Sequence, residues 1–155
     1  LLAHAAELHP SLLTIDTHVD ISSSFATAED DPGVRGNRKV DLPKRREGGL
    51  DAVFFAVYVG QTERTPENYE RVKADAMVKF NAIHRMAEDM YPDQIEIPYT
   101  ADDLERIHAS GKLAACIGIE NTEPPGDRPP RLTFRAAVCY SAIQATSRLF
   151  SGFPI

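Results

Sequence analysis

Residues 53–59, Val-Phe-Phe-Ala-Val-Tyr-Val, form an unbroken apolar run that stops at Gly60. A strand with one wet face alternates apolar and polar residues. A continuous β-branched and aromatic run needs cover on both faces, as in a parallel sheet flanked by helices. Leu113–Ile119 repeats this character and is followed by Glu120, and a shorter run, Leu12–Ile15, lies between Pro10 and a polar stretch. Three buried strands are therefore expected, at 12–15, 53–59 and 113–119.

Helical signals fall between them. Asp41 can cap a short helix that has Pro43 in its first turn and Gly48-Gly49 as its stop. Thr65-Pro66-Glu67 opens a long helix in which Tyr69, Val72, Ala76, Phe80, Ile83, Ala87 and Met90 recur at steps of three and four, and Tyr91-Pro92 ends it. Thr100 caps a third helix, with Asp102 and Asp103 in the first turn and Gly111 past its end. Strands alternating with helices give an α/β fold with parallel strands. Residues 22–39, rich in Ser, Asp and Gly, read as a long loop, and loops of this length in compact domains are usually functional. After Asn121 the character changes. Four prolines crowd into residues 124–130, and no clean strand pattern follows.

Several function classes are disfavoured. The chain has 155 residues, a net charge of −6 and no Lys/Arg stripe for phosphate neutralisation, so a nucleic-acid partner is not expected. No stretch has the apolar length of a membrane span. The opening LLAHAAELHP lacks the basic start and cleavage site of a signal peptide, so a cytoplasmic location is the expectation. Cys116 and Cys139 form no metal-knuckle or disulfide pattern.

In parallel α/β folds, sites form at the carboxyl ends of strands. The first strand leads into Asp16, His18 and Asp20, and the last ends on Glu120. Side chains two apart on a strand share a face, so His18 and Asp20 are expected together, with Asp16 one step deeper. One imidazole and carboxylates from two strands suit a divalent cation. The competing reading is a hydrogen-bonded His–Asp pair at a loop edge. His84 and His108 lie among charged residues on helices and read as surface, His4 and His9 precede the core, and Cys116 reads as packed and inert.

Four blocks, TIDTHVDI (14–21), VDLPKRREGGLDAVFFAVYVG (40–60), KFNAIHRMAEDMYPDQIE (79–96) and DDLERIHASGKLAACIGIEN (102–121), together resemble the membrane (renal) dipeptidase family of zinc peptidases in its bacterial form. The resemblance implies the N-terminal part of a (β/α)8 TIM-type barrel, here with about three parallel strands. It implies that His18 and Asp20 ligate one zinc and that Glu120 bridges to a second and is central to catalysis. The implied activity is hydrolysis of dipeptides by a metal-bridging hydroxide. Substrates in the family include dipeptides with a D- or dehydro-amino acid in the second position, certain members also open β-lactams, and pairing into homodimers is common.

The resemblance runs from about Leu8 to Asn121, and residues 1–121 are read as the N-terminal part of such a barrel. Residues 122–155 read as a divergent, Pro/Arg-rich tail, expected to reflect truncation or a shifted reading frame. No histidine follows His108, whereas the family places further metal ligands later. The second zinc site is therefore expected to be incomplete, and the chain as it stands weakly active or inactive. Two alternatives remain open: a non-catalytic remnant with a partial metal site, and another amidohydrolase-like metal hydrolase. The latter more often begins with His-x-His, against which Asp20 speaks.

Overall fold

The structure is a computed structural model and describes residues 7–63 and 65–120. Four strands, β1 (Ile15–Asp20), β2 (Ala52–Tyr58), β3 (Ile95–Glu96) and β4 (Leu113–Glu120), form one sheet in the order β1-β2-β4-β3. Every neighbouring pair is parallel. Three α-helices lie between them: α1 (Leu42–Gly48), α2 (Pro66–His84) and α3 (Ala101–Ala109).

Two faces of the sheet are covered differently. Val53, Phe55 and Val57 of β2, with Ala115 and Ile117 of β4, pack with Ala76, Ala82 and Ile83 of α2 in the main core. On the opposite face, α3 covers only the amino-terminal end, where Leu104 and Ile107 meet Ala52 and Ala114. Phe54 and Cys116 follow, both buried. Beyond them burial falls off: Gly118–Glu120 are half-buried and Tyr58 is exposed. The carboxyl edge of this second face is therefore where polar side chains reach solvent.

Local signals explain the helices. Asp41 accepts a hydrogen bond from Lys44 N at 2.9 Å, and Gly49 closes α1 in the left-handed region at φ 63°, which glycine adopts without a Cβ clash. Thr65 and Thr100 cap α2 and α3 through their hydroxyls. Arg45 on α1 is buried and donates to the carbonyls of Leu50, Asp51 and Ala114, tying α1 to the amino ends of β2 and β4. Burial depresses its guanidinium to about 10.

Three expectations need correction. The first strand is not Leu12–Ile15 but Ile15–Asp20. Backbone pairing to β2 carries it through polar residues that no apolar pattern would mark. The sheet has a fourth strand, Ile95–Glu96, whose two residues are too short to show a period. The long helix ends as an α-helix at His84 and continues as a wider π turn over Arg85–Met90.

The loop between β1 and α1 is pinned to that turn. Arg85 donates to the carbonyls of Ala26 and Phe25 at 2.7 and 3.1 Å. Ala26 sits at φ 59°, a conformation that L side chains rarely adopt, so its held carbonyl fixes a strained bend. Tyr91, just past the turn, donates to Asp31 at 2.6 Å, and Gly33 lies directly against its ring. Widened turns of this kind are frequent at functional sites. The expected tail, residues 122–155, lies outside the described residues, as do Cys139 and His4.

Candidate metal centre

A β-bulge positions the first two candidate ligands. Asp16 pairs with Val53 and Val19 with Phe55, so three steps along β1 match two along β2. Bulges of this kind re-aim side chains next to active sites. Above the bulge, Asp20 pairs with Ala56, and Ala56 pairs with Gly118 on β4. Paired residues of parallel strands share a face, so Asp20, Ala56 and Gly118 form one row. Glu120 lies on that same face two residues further along β4.

The row has a steric consequence. Strands β1 and β4 are separated by β2, a span of about 10 Å at ordinary strand spacing. Ala56 and Gly118 are the smallest side chains available, and over this low floor the longer side chains meet. His18 Nδ1 lies 2.9 Å from Glu120 Oε1, and His18 Nε2 lies 3.3 Å from Asp20 Oδ1. One imidazole thus contacts carboxylates from two strands.

Asp16 departs from expectation. Its partner Val53 belongs to the α2 face, opposite Ala56, so the bulge turns Asp16 away from the row. Its Oδ1 instead accepts the backbone N–H of His18 at 3.0 Å, which holds the bulge.

These side chains are 49% (His18), 69% (Asp20) and 43% (Glu120) exposed. Ion pairs this exposed contribute only about 0–1 kcal/mol, so stability gives little reason for the grouping. With a neutral imidazole, the two carboxylates carry two uncompensated negative charges. One nitrogen and two carboxylate donors on separate rigid strands match the donor chemistry of a divalent cation such as zinc. In this structure the imidazole itself stands between the carboxylates. Among the described residues no three His, Cys, Asp or Glu side chains already converge as a metal-binding group. The residues fit a cation by the chemistry of their donors, and the imidazole would have to leave its place between the two carboxylates for all three to meet at one point.

A cavity of about 440 Å³ adjoins this centre. His18 and Asp20 line it, as do Phe55 of the core and Arg38 and Lys39 of the β1–α1 loop. The two basic residues were not singled out from the sequence. The signal available was their position in a Gly/Asn-rich loop immediately before the cap of α1. The other histidines lie elsewhere: His84 pairs with Glu88, His108 lies 3.5 Å from Asp51, and His9 packs against Gly49. Cys116 is buried mid-strand, as expected. Among the described residues, no helix is long and apolar enough to cross a membrane.

Comparison with known proteins agrees with this architecture. The family model described as membrane dipeptidase (peptidase family M19) matches residues 2–138, continuing past Asn121. Dipeptidase tcpJ of Claviceps purpurea is 32% identical over 92 residues, covering 57% of this chain and 21% of that protein. Dipeptidase verJ of Clonostachys rogersoniana is 27% identical over 154 residues, covering 90% and 39%. The chain thus spans well under half the length of these curated relatives. The crystal structure of the probable dipeptidase PvdM from Pseudomonas aeruginosa superposes with a TM-score of 0.69 at 24% identity, over 76% of this chain and 30% of that one. The four-stranded parallel sheet with its flanking helices corresponds to a fragment of a TIM-barrel dipeptidase. By the extent of the family match, the chain belongs to the membrane dipeptidase family, peptidase family M19.

Proposed function

We propose that this chain contributes the first half of a zinc-dependent dipeptidase centre, with His18 and Asp20 as ligands of one zinc and Glu120 as the carboxylate bridging toward a second. The observation that carries this reading is the contact of His18 with Glu120 across β2, at the solvent-facing carboxyl edge of the sheet. Family membership supports a peptidase. The dipeptide substrate comes from the names of the relatives, which are dipeptidases.

When bound, a divalent cation would polarise the scissile carbonyl and lower the pKa of water. The chain's own residues have separate tasks. Asp16 fixes the bulge that aims His18. Glu120, half-buried at the end of a strand whose first five residues are buried, offers a rigidly mounted carboxylate between two subsites. The pinned β1–α1 loop walls the adjoining cavity.

A second reading has one specific observation in its favour. No histidine follows His108, so the 155 residues alone hold at most one metal in this scheme, and a non-catalytic chain with a partial site would share every feature described. Hydrolysis of an L-Ala-D-dipeptide or of glycyl-dehydrophenylalanine with added zinc separates the two. Turnover that disappears in His18→Ala and Glu120→Ala supports the dipeptidase. Zinc binding without turnover by the 155-residue chain supports the partial site.

A further inference from the structure

The cavity beside the centre carries more charge than metal ligation uses. Besides His18 and Asp20, its charged lining is Asp16, Asp30, Arg38 and Lys39. Three of these four are engaged. Asp16 holds the His18 N–H. Arg38 is ion-paired with Asp30 and also donates to the carbonyl of Asp31 at 2.7 Å. Asp30 accepts in addition from Ser22 at 2.9 Å. Lys39 is exposed, and among the described residues it makes neither an ion pair nor a hydrogen bond.

The backbone that carries Lys39 is nonetheless fixed. The carbonyl of Arg38 accepts from Lys44 Nζ at 2.6 Å, Val40 packs against the main core, and Asp41 is buried as the cap of α1. An exposed, unpaired ammonium thus stands on a fixed backbone, in a wall whose other cation is already ion-paired. A dipeptide brings at least one carboxylate of its own into a cavity that presents several acidic groups. With a metal at the centre committed to the scissile carbonyl and Arg38 paired with Asp30, Lys39 is the lining cation left to meet that carboxylate.

We propose that Lys39 is a specificity-determining residue that pairs with a carboxylate of the bound dipeptide, an inference that rests on the dipeptidase reading of the adjoining centre. The carboxylate is either the terminal one or an acidic side chain, and the two sources are separable. Zinc-loaded full chain is titrated calorimetrically with three phosphinate dipeptide analogues: the L-Ala-D-Ala analogue, its C-terminal carboxamide, and the L-Ala-D-Glu analogue as its α-carboxamide. An exposed lysine pairing across a cavity is expected to favour a carboxylate-bearing analogue over the plain carboxamide by about two- to fivefold. A gain with the first analogue identifies the terminal carboxylate, and a gain confined to the third identifies a side chain. Lys39→Met is expected to remove the preference while leaving plain-carboxamide affinity unchanged, and Lys39→Arg to restore most of it. Equal binding of all three by the unaltered chain, or a preference that survives in Lys39→Met, overturns the assignment and leaves the dipeptidase reading standing. Failure of the unaltered chain to bind any analogue overturns both.

Discussion

His18 of β1 reaches Glu120 of β4 at 2.9 Å although β2 runs between their strands. The contact exists because Ala56 and Gly118 occupy the intervening positions of the row that begins at Asp20. Convergence of the candidate ligands is therefore a property of the floor beneath them as well as of the ligands themselves.

Raising that floor should separate the ligands without deleting any. Ala56→Leu is expected to weaken zinc binding at least tenfold and to cost about 1–3 kcal/mol through overpacking of a buried position. Gly118→Ala is the control. A Cβ there would meet its nearest atoms at 3.9 and 4.0 Å, an ordinary contact, so zinc affinity should stay within about twofold. Calorimetric zinc titration of both variants, with urea melts for stability, makes the comparison.

The anchoring of the loop to Tyr91 can be broken from the loop side. A Cβ on Gly33 would clash with the Tyr91 ring at its hydroxyl end, so the ring must shift and its bond to Asp31 is expected to be lost. Gly33→Ala is expected to lose about 1–3 kcal/mol in urea denaturation. Faster amide hydrogen exchange should appear across residues 22–39 and not in β2.

The same bond has a spectroscopic signature. Its hydrogen bond to the Asp31 carboxylate, with some burial, pushes the Tyr91 hydroxyl up to about 12. A folded-state value raised above the unfolded one means that the stabilisation is complete below about pH 10 and fades as pH rises through 12. Ultraviolet titration should show one of the five tyrosines ionising late. Asp31→Asn should bring it back toward the ordinary value near 10.

Acid should act through Asp41. Burial alone would raise its carboxyl, but the backbone N–H groups of Lys44 and Gly36 and the Lys44 ammonium outweigh burial and hold it below 3.8. A depressed carboxylate stabilises fully above its unfolded value and loses that contribution as pH falls through the folded one. Stability should therefore drop below about pH 4, and less steeply in Asp41→Asn. At neutral pH, Asp41→Ala should cost about 1–2 kcal/mol as a lost helix cap. Urea midpoints measured from pH 3 to 7 check both statements.

Much of the fold was legible because its decisive elements are local. The run 53–59 and the run 113–119 lie almost residue for residue on β2 and β4, Asp41 and Thr100 cap the helices they were expected to cap, and α2 opens at Thr65-Pro66 as expected. Glu120 was legible as a charged residue ending an apolar strand. The bulge was not, since no glycine or proline marks Thr17-His18, and strict alternation places Asp16 on the wrong face. Lys39 was hidden for another reason: a lysine in a polar loop looks solvated until the loop is seen folded against the cavity. The π turn preserves the three-and-four apolar spacing of α2, so periodicity alone could not reveal where the helix widens.

Zinc titration of the 155-residue chain and of His18→Ala, Asp20→Asn and Glu120→Gln, read by competition with a chromophoric chelator, tests the central claim most directly. The account predicts one zinc bound per unaltered chain, with affinity falling at least tenfold in each variant, while far-ultraviolet circular dichroism shows the fold retained. Zinc affinity that is unchanged when Glu120 or His18 is replaced would contradict it.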